Sequence, residues 1–203
     1  MAGLQRSKIM DLLAQKQFSQ IVHLDEKPKN IIKILLSLLY ERDKLISWRA
    51  VQTLGLVVAQ RVGDQTEIAR DVIRRLLWSL NDESGGTGWY APQAMGAVIA
   101  TGPESLAEYI PIMFSFIDDP RLTVGVLWGM AVVARERPDL VQQYTDEIVP
   151  FLAKPDGQVR AHAWWALYCI DPQLVQQVDV STLDGEIYWQ GEMVAPLWLK
   201  QEF

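Results

Sequence analysis

An internal repeat limits the folds open to this chain more than any other feature of its sequence. The segment WYAPQAMGAVIA (residues 89–100) keeps the Trp, Ala, Gln, Gly, Val and Ala of WRAVQTLGLVVA (48–59) at corresponding positions. Aligned on the same small residue, VGVLWGMAVVAR (124–135) and RAHAWWALYCI (160–170) extend the series to four copies. Successive copies are 41, 33 and 37 residues apart, and periods of this size are typical of repeat architectures.

Each copy is an apolar helical segment, and a second segment with helical periodicity precedes it. Residues 66–80, which precede the second copy, place Ile68, Val72 and Leu76 four residues apart on one face. The corresponding segments of the other copies are residues 30–41, 104–117 and 139–153. Helix pairs repeated at this spacing predict an all-α fold, an α-solenoid of stacked antiparallel helix pairs.

The central position of the repeat is small in every copy. The residues at this position are Gly55, Gly96, Gly129 and Ala166. A glycine inside a helix costs about 1 kcal/mol relative to alanine, so its recurrence indicates a recurring structural gain. Without a Cβ atom, the second helix of a pair can approach the first closely. We therefore expect Gly96 to pack against its partner helix, residues 66–80.

The fourth copy carries the clearest family likeness. PDGQVRAHAWWAL (155–167) resembles the second-helix signature of HEAT-like repeats, of the short type found in phycobilisome lyases. The matching residues are Asp156, Val159, Arg160, Ala163, Ala166 and Leu167. The first copy keeps this arginine as Arg49, whereas the second and third copies have Tyr90 and Thr123 there, so the arginine ladder is not continuous. The resemblance covers residues 30–170 and implies a HEAT-like fold; similar proteins include scaffolds, lyases and chaperone-like proteins.

The two ends of the chain depart from the repeat. Residues 1–29 hold two short amphipathic segments that we interpret as capping helices, because a terminal repeat must present a polar face to water. Residues 30–170 form the four helix pairs. In the C-terminal cap, residues 171–203, EIYW-QG-EMVA has the β-rich arms and glycine turn of a short hairpin. We predict a single HEAT-like domain over 1–203, whose irregular or β-hairpin cap covers the last helix pair.

Charge and composition argue against several classes of partner. The chain has 19 basic and 25 acidic residues, and its net charge of −6 disfavours nucleic acid because an acidic surface repels phosphates. Cys169 is the single cysteine, which is typical of a reducing compartment. No apolar run approaches the roughly 20 residues needed to span a bilayer. We expect a cytoplasmic protein with no membrane partner.

A glycine-rich stretch, NDESGGTGWYAP (81–92), precedes the second copy of the repeat. Because proline is tolerated in the first turn of a helix, Pro92 predicts that the helix starts near Tyr90 or Ala91. The stretch lacks the lysine and the preceding strand of a phosphate-binding loop. Two interpretations remain: a flexible connector with Trp89 tucked into the core, or a recognition loop that contacts a partner or ligand.

No motif in the sequence indicates a particular reaction. His23 and His162 lie in different helices without a second ligand at metal-binding spacing, so we predict no metal, no cofactor and no catalytic residue. The equivalent arginines Arg49 and Arg160 are expected to bond an acidic residue or helix end of a neighbouring repeat. The acidic candidates near the turns are Asp43, Asp82, Asp119 and Asp156.

The chain has eight tryptophans, and several of them stand near the starts of second helices. Helical periodicity places Trp78 and Trp128 in the core, whereas aromatic and arginine residues on the concave side suit an interaction surface. The candidate partner- or ligand-binding residues are Trp48, Arg49, Gly85, Gly86, Gly88, Trp89, Tyr90, Arg160 and His162.

These observations favour a non-catalytic protein–protein interaction or scaffold module that holds another protein in a concave helical groove. The alternative is a lyase-like or chaperone-like protein that handles a small molecule or chromophore, with the glycine loop and Trp89, Tyr90, Arg160 and His162 around a pocket. A third hypothesis, a base-excising DNA glycosylase, would need a basic groove, and the acidic balance argues against it.

Overall fold

The computed structural model describes residues 2–63, 65–80 and 88–202, with side chains from residue 5 onward. The α-helices are α1 Ala2–Ala14, α2 Phe18–Val22, α3 Pro28–Leu38, α4 Lys44–Val57, α5 Thr66–Leu80, α6 Ala91–Thr101, α7 Ile110–Phe114, α8 Thr123–Glu136, α9 Thr145–Ile148, α10 Gly157–Ile170 and α11 Pro196–Glu202. A π-helical turn, Val58–Val62, extends α4, and the 3₁₀ helices are Glu104–Tyr109, Pro138–Leu140, Gln142–Tyr144, Val149–Ala153, Pro172–Val175 and Val180–Thr182. The strands are β1 Ile187–Trp189 and β2 Glu192–Val194.

The four copies of the repeat are the second helices α4, α6, α8 and α10, which pack side by side in that order. Helix α3 packs on α4 and α5 packs on α6, while shorter helical segments precede α8 and α10. The core runs through this stack, since the second helices are buried along most of their length. The predicted HEAT-like helical repeat is therefore confirmed.

The first helices of the last two pairs differ from the prediction of continuous helices. Residues 104–114 form a 3₁₀ helix followed by the short α7, and residues 138–153 alternate between 3₁₀ and α turns. Pro111 lies in the first turn of α7 and Pro150 lies in the first turn of the 3₁₀ helix Val149–Ala153. Proline lacks the N–H of an α-helical hydrogen bond and clashes with the preceding turn, so a continuous α-helix is interrupted at these residues.

Local sequence signals set the starts of the second helices. The side chain of Asp43 accepts hydrogen bonds from the backbone N–H groups of Leu45 (2.9 Å) and Ile46 (3.4 Å) at the start of α4. Asp156 caps α10 in the same way, with Gln158 N–H at 2.8 Å. Such caps satisfy N–H groups that the first turn of a helix leaves without a partner. Helix α6 begins at Ala91, as Pro92 predicts.

The repeated glycines bring successive second helices together, and Gly129 also approaches Met113 of α7, the first helix of its own pair. A Cβ atom on Gly96 would lie 2.3 Å from the Cα atom of Gly129, which belongs to α8. A Cβ on Gly55 would lie 2.9 Å from the carbonyl oxygen of Ala97 on α6. The expected contact between Gly96 and α5 is therefore wrong. The cost of glycine in these helices is offset by close packing between the backbones of α4, α6 and α8.

The C-terminal cap contains the predicted hairpin. Strands β1 and β2 are antiparallel, with Ile187 paired to Val194 and Trp189 paired to Glu192. Gln190 and Gly191 form the turn with φ angles of 45° and 93°, a left-handed geometry that suits a two-residue hairpin loop. The short helix α11 follows the hairpin and had no counterpart in the sequence prediction.

Candidate functional site

The hairpin lies across the layer of second helices and reaches the first repeat. The ring of Tyr188 stacks on Trp48 of α4, with ring centroids 5.2 Å apart and planes 9° from parallel. The indole N–H of Trp128, on α8, donates a hydrogen bond to the Tyr188 carbonyl oxygen (3.0 Å). The cap thus contacts much more than the last helix pair that it was expected to cover.

Trp189 joins the same hairpin to the last two second helices. Its ring meets Trp165 of α10 edge to face at 5.6 Å, and the Arg135 guanidinium of α8 lies 4.1 Å from its centre. Stacked rings and a cation over an indole face are favourable contacts. The groove that the sequence predicts along the second helices is therefore filled along its middle by the protein's own C-terminal segment.

An opening remains on one side of the hairpin, at the N-terminal turns of α4, α6, α8 and α10; we call it the aromatic cleft. Its volume is about 470 Å³. The residues that line it are Lys44, Leu45, Trp48, Trp89, Tyr90, Gln93, Arg121, Val124, Gly125, Gln158, His162, Glu186 and Met193. Of the nine candidate residues from the sequence, the structure brings Trp48, Trp89, Tyr90 and His162 together here.

Trp89 and Tyr90 form one wall of the aromatic cleft. Trp89 is 60% exposed, so the interpretation that tucked this side chain into the core is wrong. Tyr90 is half-buried and meets the edge of Trp48 at a centroid distance of 5.5 Å. Burial and the nearby Asp43 carboxylate raise the pKa of Tyr90 to about 12, so its hydroxyl stays protonated at neutral pH.

His162 lies at the base of the cleft and is 1% exposed. Its Nδ1 atom is 2.8 Å from the carbonyl oxygen of Gln158 and must donate to it, because a carbonyl can only accept. Burial lowers the pKa of His162 to about 4, so the ring is neutral and its Nε2 atom carries a lone pair. This Nε2 atom is buried and has no hydrogen-bond partner among the residues that the structure describes.

Gln93 is a second polar residue of the cleft, and the sequence analysis did not select it. It is 5% exposed, and its side-chain oxygen is buried without a hydrogen-bond partner in the described part of the chain. Its amide lies against Gly125. A Cβ atom on Gly125 would lie 2.4 Å from the Gln93 side-chain oxygen. The repeat could have identified Gln93 as a candidate, because Gln52 and Gln93 occupy equivalent positions in the first two copies. Gln52, unlike Gln93, accepts a hydrogen bond from the Tyr188 hydroxyl (2.6 Å).

Arg49 holds the hairpin turn and the first helix to α4. It is 6% exposed and donates to the carbonyl oxygens of Gly191 (2.9 Å), Leu13 (3.2 Å) and Ala14 (3.0 Å). The last two end α1, so the expectation of a helix end as partner fits this residue. The guanidinium also lies 3.8 Å from the Glu192 carboxylate.

Arg160 occupies the equivalent place on α10 but lies nearer the surface. It donates to the Lys154 and Pro155 carbonyls and forms an ion pair with Asp184 at 2.7 Å. The described acidic candidates have other roles than to pair with Arg49 or Arg160, so this part of the expectation is wrong. Asp43 and Asp156 cap helices, and Asp119 pairs with Arg121. Asp82 lies outside the described residues.

The described part of the glycine-rich stretch serves packing. Gly88 is buried and its N–H donates to the Ser79 carbonyl oxygen (3.2 Å), while a Cβ atom there would lie 2.3 Å from the Ser79 hydroxyl. Only glycine allows this approach to the end of α5. Gly85 and Gly86 lie outside the described residues.

Of the two tryptophans predicted to lie in the core, one is buried and the other is exposed. Trp128 is buried, at 5% exposure, as its periodicity predicts. Trp78 is 79% exposed on α5, so its predicted core position is wrong. It lies beside Arg74 and Arg75 on the outer helix layer, away from the aromatic cleft.

A smaller opening of about 250 Å³ lies on the other side of the hairpin. It is lined by the middle and C-terminal parts of the second helices, including Gly55, Thr101 and Arg135. Within the described residues, no group of three or more His, Cys, Asp or Glu side chains is arranged to hold a metal ion. No helix in the described ranges has the length and apolar character needed to cross a bilayer.

The fold and site define a HEAT-like helical repeat with an aromatic cleft at the N-terminal ends of its second helices. Comparison with known families agrees, because residues 120–170, from before α8 to the end of α10, match the family described as HEAT-like repeat. An uncharacterized protein of Archaeoglobus fulgidus is similar to this chain, with 33% identity over 85 residues. The match covers 42% of this chain and 43% of that relative.

Proposed function

We propose that this protein is a non-catalytic interaction module that holds a segment of another protein in the aromatic cleft. The exposed Trp89 beside an open cleft carries this proposal. Tryptophan and tyrosine dominate the binding energy of many protein interfaces because they bury a large area at a small entropic cost. Trp48 and Tyr90 add two further aromatic surfaces to the same cleft.

The hairpin supports the choice of this cleft over the whole groove. Tyr188 and Trp189 cover the middle of the second-helix layer, so a partner that filled the entire groove would have to displace their contacts. The aromatic cleft is open without such a change. HEAT-like repeats commonly mediate protein–protein contacts, and the role proposed here is of that kind.

A lysate pull-down with a double variant tests the proposal. We expect Trp89→Ala plus Tyr90→Ala to abolish capture of the protein that the wild-type chain retains from its native lysate, identified by mass spectrometry. The loss follows from removal of the apolar wall of the cleft. Far-ultraviolet circular dichroism and the melting temperature establish that the variant is folded.

A matched control uses an exposed tyrosine and an exposed tryptophan elsewhere. Tyr40 and Trp78 are 56% and 79% exposed, and neither lines the aromatic cleft. Tyr40→Ala plus Trp78→Ala should leave capture unchanged. If the cleft variant folds and still captures the same protein, or if the control variant loses it, the aromatic cleft is not the partner site.

Capture of a small molecule is the second candidate function, and one observation favours it. Two residues that line the cleft have a buried polar atom without a partner among the described residues, His162 Nε2 and Gln93 Oε1, and such atoms are typical of a site that hydrogen-bonds a ligand. Arg160, which the sequence placed around such a pocket, does not line the cleft. Titration of candidate ligands, followed by the fluorescence of Trp48 and Trp89, tests this function.

A further inference from the structure

Gln93 and His162 line the aromatic cleft, and each has a buried side-chain atom that would accept a hydrogen bond from the same kind of group. The Gln93 side-chain oxygen is a hydrogen-bond acceptor. The Nε2 atom of His162 is also an acceptor, because Nδ1 carries the ring proton that bonds the Gln158 carbonyl oxygen. A buried acceptor without a partner costs free energy, so an occupant that supplies donors recovers that cost. The occupant therefore presents N–H or O–H groups to this part of the cleft.

The charge of the surroundings selects among donors. Two acceptor lone pairs repel an anion such as a carboxylate or phosphate. A full positive charge is also disfavoured, because the cleft lies at the N-terminal turns of four helices, where the helix dipole is positive. Lys44 and Glu186 line the cleft with one charge of each sign, and the charge of Arg121 is paired with Asp119. An uncharged donor suits this environment best.

We propose that the base of the aromatic cleft binds an uncharged carboxamide, such as an asparagine or glutamine side chain of the partner segment. This inference rests on the proposed function and adds the chemistry of the bound group. A primary carboxamide has two N–H donors for the acceptors of Gln93 and His162. Its planar shape also packs against aromatic rings such as those of Trp48 and Tyr90.

A series of three probes of similar shape tests the inference on the wild-type protein. Benzamide carries a carboxamide on an apolar ring, while benzoate and benzamidine replace the amide by an anion and a cation. The chain has two histidines, so ¹⁵N-labelled histidine gives separate signals for His162 and the exposed His23. We expect benzamide to shift the Nε2 signal of His162 in a saturable way and to leave His23 unmoved. Benzoate and benzamidine should bind at least about tenfold more weakly than benzamide. A tenfold difference in affinity corresponds to the contribution of about one hydrogen bond.

Substitution of Gln93 gives a second measurement, and the repeat provides its control. Gln93→Met keeps the length of the side chain and removes the acceptor, so benzamide should bind about three- to tenfold more weakly. Gln52→Met changes the equivalent glutamine of the first copy, which does not line the aromatic cleft, and should leave benzamide affinity unchanged. Equal affinity for all three probes, a benzamide complex without a His162 shift, or no benzamide binding overturns the inference.

The two proposals fail separately. If the Trp89 and Tyr90 double variant loses its protein partner but benzamide does not bind the wild-type chain, the carboxamide inference is wrong and the partner site stands. If benzamide binds as expected but the double variant keeps its protein partner, the carboxamide site stands and the proposed protein-binding function is wrong.

Discussion

At the scale of single residues, equivalent positions of the repeat have acquired different surroundings. Arg49 is buried and joins three carbonyl oxygens of α1 and the hairpin turn, whereas Arg160 reaches carbonyls next to its own helix and a surface aspartate. Gln52 and Gln93 diverge in the same way, one bonded to Tyr188 and the other unpartnered in the cleft. The repeat pattern selects the residue type, and the neighbours of each copy decide its role.

His162 makes the stability of the protein depend on pH. Its pKa is about 4 in the folded chain, whereas an unfolded histidine titrates near 6.5. Between these values the unfolded state binds a proton that the folded state does not, so the free energy of unfolding falls as the pH is lowered through this window. The loss from this group reaches up to about 3 kcal/mol near pH 4, and above pH 6.5 the group has no effect.

Urea unfolding of wild type and His162→Gln from pH 7 to about pH 4 measures this effect. The variant should lose less stability than wild type across the window, since the carboxylates, including Asp156 and Glu186, are common to both. His23→Gln is the matched control, because His23 also bonds the carbonyl four residues earlier but is exposed. Parallel curves for wild type and His162→Gln would contradict a buried neutral imidazole.

At the scale of helices, the repeated glycines determine how closely the second helices pack. Gly96 and Gly129 place the backbones of α6 and α8 in direct contact, and Gly129 also approaches the Pro92 carbonyl oxygen (2.9 Å from a Cβ on Gly129). Helices that pack through glycines can approach more closely than helices separated by larger side chains. This spacing also sets the aromatic cleft, because its walls are the first turns of the same helices.

Gly96→Ala should destabilise the protein despite the higher helix propensity of alanine. The new Cβ atom would meet backbone atoms of Gly129 that cannot move without shifting α8. We expect a loss of about 1–3 kcal/mol, typical of overpacking, measured by urea unfolding. Gly125→Ala is the control, because the nearest atoms to its Cβ would belong to the side-chain amide of Gln93 and not to a backbone, and its cost should stay below about 1 kcal/mol. Equal stability of wild type and Gly96→Ala would disprove the helix contact.

At the scale of the whole molecule, the C-terminal segment closes the stack. The hairpin connects α4, α8 and α10 through Trp48, Trp128 and Trp165, so the last residues of the chain bury aromatic surface contributed by distant repeats. The same hairpin separates the two openings of the groove. The cap is thus part of both the core and the border of the candidate site.

Deletion of residues 184–203 should expose these tryptophans to water. We expect a red shift of tryptophan emission, stronger binding of an apolar dye and a lower melting temperature, because the rings of Tyr188 and Trp189 are removed from their indole neighbours. Deletion of residues 196–203 alone removes Trp198, which is 42% exposed, but keeps the hairpin, so it is the reference from which the red shift of the longer deletion is measured. An unchanged spectrum after the longer deletion would show that the hairpin does not cover the second helices in solution.

Several features follow from the sequence alone because their causes are local. The period of the repeat identifies the helix pairs, Pro92 identifies the start of α6, and the Gln190–Gly191 turn between β-rich arms identifies the hairpin. The equivalent small residues likewise mark a close contact. For the helix start and the hairpin turn, the determining interactions lie within a few residues of the chain, where propensity and hydrogen bonding act directly.

Other features were decided only by the tertiary structure. Periodicity gives the face on which Trp78 lies but not whether another helix covers that face, and within the described residues Trp78 is exposed. Gly96 indicates that another backbone comes close, but the sequence does not identify the helix to which that backbone belongs. His162 and Gln93 are far apart in sequence, and their meeting in one cleft depends on how α6 and α10 stack. The path of the hairpin over the second helices depends on rings from distant repeats, so it is a property of the folded whole.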